Sequence, residues 1–170
     1  AIENISTWYI RRSRDRFVSG DKEALQTLYS VLIQFIKTIA PQIVFVSDEM
    51  YQNLIVGIGI DGAKESVHLE DYPVIDEKTI DKDLLASMEM VRKYCSIALN
   101  IRDQHKLKIR QPLSCIYLDL VEDNLLEIIK DEINVKEIKH INDYKKLNNE
   151  DKKAVVVEKS DDMFVGLDVK

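Results

Sequence analysis

The chain has 170 residues, 45% hydrophobic and 32% charged, with 30 acidic against 24 basic side chains. That length supports one large or two small domains around a real core, and the composition excludes a disordered chain. No apolar run reaches membrane-spanning length, because Gln34, Lys37 and Gln42 interrupt the best stretch, 31–46.

Residues 2–18 read as a helix closed by Ser19-Gly20, and a second helix opens at the capping residue Asp21. Its apolar positions Leu25, Leu28, Leu32, Phe35 or Ile36, and Ile39 recur at three and four until Pro41 stops it. A third helix is expected over 43–55, burying Val46, Met50, Tyr51 and Leu54, followed by a loop marked by Gly57, Gly59 and Gly62. Residues 65–76 look irregular. A long helix over 79–107 carries two adjacent apolar stripes, one through Leu84, Met88, Val91, Cys95 and Ala98, the other through Met90, Tyr94, Ile97 and Ile101. After Gln111-Pro112 the composition changes. Strands are expected over 113–120, 135–141, 154–159 and 163–169, with a short helix over 123–133. The fold class is therefore mainly α: a helical bundle over 1–110 and a small α/β appendage over 111–170.

Charge is distributed unevenly along this acidic chain. Residues 1–20 carry four cations against two anions, and residues 92–110 six against one, while the remainder is strongly acidic. Two short basic islands in an acidic body have the footprint of a polyanion-binding surface. In the first island Trp8, Arg11, Arg12 and Arg16 share one side of a regular helix, with Ile10 and Phe17 on the other, facing the bundle. Arginines beside an aromatic plate suit phosphate contact and base stacking. The same spacing equally serves a solvated face held by ion pairs of little worth. In the second island Arg102 and Lys106 continue the buried stripe of the long helix, with Lys108, Arg110 and Gln111 beyond them. They fit either an RNA phosphate ridge or cations placed at a helix C-terminus.

Other chemistry is thinly represented. His68, His105 and His140 have no metal-spaced neighbours, and Gly57-Ile58-Gly59-Ile60-Asp61-Gly62 follows a helix, not the strand a dinucleotide loop requires. No catalytic residue, metal site or cofactor is read in this chain. Cys95 and Cys115 form neither a close pair nor a ligand quartet, and no secretory signal is visible, so the cytoplasm is the expected compartment. The missing initiator methionine points to a piece of something longer.

Four blocks in order resemble the C-terminal region of isoleucyl-tRNA synthetases. They are TWYIRRSRDRF at 7–17, the run from Asp21 to Leu54, ESVHLEDYP at 65–73, and the stretch from Met90 to Lys108-Ile109-Arg110-Gln111-Pro112-Leu113. The resemblance implies the anticodon-binding helical bundle of class I aminoacyl-tRNA synthetases, a fragment that holds the anticodon stem and loop of isoleucine tRNA and lacks catalytic activity. It carries over Trp8, Arg11 and Arg12, and with them Arg102, Lys108, Arg110 and Gln111. The parent enzyme joins isoleucine to its tRNA with ATP and magnesium, yet its HIGH and KMSKS signatures do not occur here. The catalytic domain of the same parent chain is an implied partner, with ESVHLEDYP against it. Family members extend further at both ends, so exposed apolar surface and self-association are expected. The alternative function is a helical protein-interaction module whose basic islands meet acidic protein surfaces.

Overall fold

A computed structural model describes residues 2–119, 125–160 and 163–169, which fall into two compact units, Ala1–Asp76 and Glu77–Lys170. The ends of the strand expected over 113–120 and of the helix over 123–133 lie partly outside the described residues.

The first unit is helical. A π-helical segment, Asn4–Ile10, leads through Ser13 into α1 (Arg14–Val18), and Asp21 caps α2 (Lys22–Ile39) by accepting from the amides of Glu23 and Ala24. Then come α3 (Val44–Tyr51) and a π turn, Gln52–Val56. Ile36, Ala40, Tyr51, Ile55 and Val67 form a buried cluster on which Ile33, Met50 and Leu54 pack. Val46, expected inside, is exposed, and Ser47 takes the buried place. Its hydroxyl donates to the carbonyls of Ile43 and Val44, which removes the cost of burying it. The segment after the glycine turns is fastened to these helices by polar bonds. Asp48 accepts from the Ser66 hydroxyl at 2.6 Å and the Val67 amide at 3.1 Å, and Glu70 accepts from Lys37 at 2.8 Å and from the Tyr51 hydroxyl.

In the second unit a 3-10 turn, Glu77–Thr79, precedes α4 (Lys82–Gln104), which is capped by Asp81. A four-stranded sheet follows, built from β1 (Leu113–Leu118), β2 (Val135–His140), β3 (Val155–Ser160) and β4 (Met163–Asp168). Its order is β2-β1-β4-β3, with β1 and β2 parallel and the other pairs antiparallel. Helix α5 (Leu126–Ile133) makes the crossover that a parallel pair needs. Strand alternation separates two faces. Cys115, Tyr117, Val155 and Phe164 cluster with Ile141, Tyr144 and Leu147 from α6 (Ile141–Lys146) and the residue after it. Ile116, Leu118, Val165 and Leu167 project to the opposite face, where α4 and α5 pack. A last short helix, α7 (Asn149–Lys152), precedes β3. Of the two stripes read on α4, Val91, Tyr94, Cys95, Ala98 and Ile101 are buried, whereas Leu84 and Met90 are exposed. The fold is thus mainly helical with a small α/β appendage, and both cysteines are free and buried.

Candidate nucleic-acid interface

The first basic island lies on the π-helical segment and α1. Trp8 is half-buried, Arg11 and Arg16 are exposed, and Arg12 is half-buried. Arg11 Nε donates to the carbonyl of Thr7 at 2.8 Å, one turn back on its own helix. Arg16 Nε pairs with Asp21 Oδ2 at 2.7 Å, so this cation is tied to the cap of α2. The pairing raises the pKa of Arg16 and lowers that of Asp21, the hydrogen bond between them being the largest cause in each case.

The inward face differs from the helical-wheel expectation. Ile10 is 37% exposed, and Tyr9, Ser13 and Phe17 turn inward instead. Tyr9 donates its hydroxyl to the carbonyl of Ala24 at 3.0 Å and meets the Phe17 ring edge-on at 6.1 Å, while Ser13 is 6% exposed. These three residues follow one another at intervals of four, joined by hydrogen bonds from Ser13 N–H to the Tyr9 carbonyl and from Phe17 N–H to the Ser13 carbonyl, each at 2.9 Å. Spacings of seven and of eight both return to nearly the same side of a helix, and here the inward line takes the eight, through Tyr9, and not the seven, through Ile10.

The second island is organised by the end of α4. Lys106 adopts φ 57°, Leu107 N–H donates to Arg102 C=O at 2.8 Å, and Lys106 N–H donates to Asp103 C=O at 3.0 Å. These are the two bonds of a Schellman stop, with lysine where glycine is usual. The chain then turns through Lys108, Ile109, Arg110 and Gln111, all exposed, and enters β1.

Arg102 is the correction. It was expected among the phosphate-facing cations, but it is 2% exposed and cannot reach a phosphate. Its Nη1 donates to the carbonyl of Lys108 at 3.1 Å, and its Nη2 to those of Gln111 at 3.1 Å and Asn134 at 2.9 Å. Burial lowers its pKa. Asn134, a residue the sequence reading passed over, ends α5 at φ 52° and donates its Nδ2 to the carbonyl of Ile109 at 2.9 Å. The signal for it was an asparagine between an amphipathic helix and a Val-rich strand, where a left-handed cap belongs. What faces solvent here is Lys106, Lys108, Arg110 and Gln111, a cationic turn held from beneath.

Among the described residues, no group of three or more His, Cys, Asp or Glu is arranged to hold a metal ion, and no helix is long and apolar enough to cross a membrane.

Comparison with known proteins adds the following. A family model described as the anticodon-binding domain of tRNA ligase matches residues 1–118. The chain is 39% identical over 151 residues to an isoleucine–tRNA ligase of Bacteroides fragilis, covering 82% of this chain and 13% of that protein. It is 38% identical over 148 residues to one of Chlamydia muridarum, covering 81% and 14%. It is 37% identical over 139 residues to one of Cutibacterium acnes, covering 79% and 12%. The chain therefore spans about an eighth of the length of these relatives.

Proposed function

Because the chain belongs to the anticodon-binding domains of tRNA ligases, we propose that it grips the anticodon stem and loop of isoleucine tRNA for an isoleucine–tRNA ligase. The parent enzyme would join isoleucine to that tRNA in the cytoplasm. ATP and magnesium would act in its catalytic domain, outside this chain. The observation that carries the reading is the exposed cationic turn Lys106–Gln111, together with the arginine cluster around Trp8, on a chain of net charge −6. A generic acidic surface has no reason to gather cations this way, whereas a phosphate backbone does. The tRNA-contacting set is Trp8, Arg11, Arg12, Arg16, Lys106, Lys108, Arg110 and Gln111. The division of a helical binding module over 1–110 from an α/β subdomain over 111–170 follows the composition change, while compaction divides the chain after Asp76.

The catalytic domain of the parent chain is the second proposed partner. Phe45 is 89% exposed, and Val46, Leu69 and Tyr72 are exposed with it on the first unit. Such apolar surface calls for cover. On the isolated chain it is open to self-association.

The test is binding of isoleucine tRNA to the 170-residue chain at several salt concentrations. Arg11→Ala with Arg12→Ala should weaken it and flatten the salt dependence by about 1.4–1.8 in log K against log salt, the value for two phosphate contacts. Binding indifferent to salt and to both substitutions sinks the proposal. Binding that bulk tRNA cannot displace from acidic proteins would favour a protein-interaction module.

A further inference from the structure

We propose that Arg102 is a positioning residue for RNA binding, holding residues 105–111 in the shape that turns Lys106, Lys108 and Arg110 outward. The inference rests on the tRNA-binding reading above and assigns Arg102 a role without contact to RNA.

Three observations converge on it. First, the guanidinium is buried, and its partners are backbone carbonyls from two sides of one turn and from the residue after α5. No carboxylate among the described residues accounts for the cation's burial, and its Nε has no partner there. A charge buried at such cost is compensated here by carbonyl dipoles, and these bonds depend on the turn keeping its shape.

Second, Asn134 grips the same turn independently. Its side chain holds the carbonyl of Ile109, while its own carbonyl accepts from Arg102 and from the amide of Leu113 at 3.1 Å. The carbonyls of Lys108, Ile109 and Gln111 are thus all drawn inward. Third, Lys106 occupies a left-handed backbone position where glycine fits best, so a cation is displayed at a point of local strain. A turn whose carbonyls are bound on the inside presents its basic side chains on the outside without paying their ordering on contact with RNA.

The experiment is a double-mutant cycle on the 170-residue chain, with isoleucine tRNA as the probe and amide exchange of Gln111 and Leu113 as the second readout. Arg102→Lys keeps the charge but cannot span three carbonyls. Asn134→Gly keeps the left-handed backbone and the carbonyl that Arg102 uses, and it removes only the bond to Ile109. That makes it the informative variant if Arg102→Lys fails to fold. Each is measured in the native turn and with Lys108→Ala and Arg110→Ala. In the native turn we expect about a tenfold loss of affinity and faster exchange at both amides. In the neutralised turn the loss should shrink to less than about twofold, because the cations being positioned are gone.

Equal losses in both backgrounds would overturn the proposal, since Arg102 would then act elsewhere. So would faster exchange with unchanged affinity. If the neutralised turn alone binds tRNA as tightly as the native chain, the tRNA reading of this island fails, a result distinct from either.

Discussion

Comparing Lys106→Gly with Lys106→Ala isolates the backbone cost of the cationic turn from its contribution to binding. Both substitutions remove the same charge from the end of α4, so any helix-dipole term cancels between them. They differ in how they meet φ 57°. A Cβ at a left-handed position costs about 1–2 kcal/mol. Glycine escapes that cost but loses about 0.4–1 kcal/mol through the greater freedom of its unfolded chain. The glycine variant should therefore be the more stable by about 0.5–1 kcal/mol, the reverse of the usual order of these residues at helical positions. With a urea slope of about 2 kcal/mol/M, this is a midpoint difference of about 0.25–0.5 M at unchanged slope. Circular dichroism of the 170-residue chain in urea measures it. Isoleucine tRNA titrated into the same two proteins should bind equally to both, more weakly than to the parent, with a salt slope reduced by about 0.7–0.9. An alanine variant as stable as the glycine variant would refute the strain argument. Parent-like binding by both would refute Lys106 as a phosphate contact.

Two further outcomes follow from the polar anchors. The Lys37 ammonium, then the Tyr51 hydroxyl, hold the Glu70 carboxyl below the usual glutamate range, so the unfolded chain takes up this proton first as pH falls. The stabilisation is complete above about pH 4.3–4.5 and drains away as pH drops through the folded value, and Glu70→Gln should abolish that component of acid sensitivity in urea midpoints taken from pH 7 to 3. A Glu70→Gln chain with the parent's full acid dependence would contradict this assignment. Tyr94, 1% exposed, donates to Asp119 Oδ1 at 2.5 Å, and Asp119 Oδ2 accepts from the Phe164 amide at 3.0 Å. Tyr94→Phe should cost about 1.5–3 kcal/mol in equilibrium unfolding, because it strips one bond from a carboxylate that also holds β4. A change under about 0.5 kcal/mol would mean that water replaces the hydroxyl without loss.

Which parts of this molecule could be read from its sequence follows from how many residues carry each signal. Helix α2 spans five turns with apolar residues at three and four, and its start is written in one capping aspartate; the strands announce themselves by β-branched runs. Helices α6 and α7 escaped the reading because six and four residues complete too little of a period to show one. Val46 went wrong on α3 for a related cause, since eight residues leave the phase loose and a serine with two carbonyl partners can fill an apolar position. Ile10 went wrong because spacings of seven and eight from Phe17 both fit an inward helical stripe, and only the Tyr9–Ser13–Phe17 line is used.

Arg102 marks a different boundary. Its azimuth on α4 was legible and pointed to the core, where the structure has it. Its role was not legible, because its partners are the carbonyls of Lys108, Gln111 and Asn134. Every residue owns a carbonyl, so no letter of the sequence distinguishes those three. A cation in a basic island is naturally counted with its neighbours, yet the buried member of such an island does the opposite work. It spends its donors on the backbone, and by doing so it leaves the exposed members free of that duty. For a polyanion-binding surface, counting arginines and lysines therefore overestimates the phosphate contacts by the number that are buried. The salt slope of tRNA binding should accordingly fall on neutralising Lys106, Lys108 or Arg110 by about one phosphate contact each. An additional direct contact from Arg102 would have made that cationic set one larger.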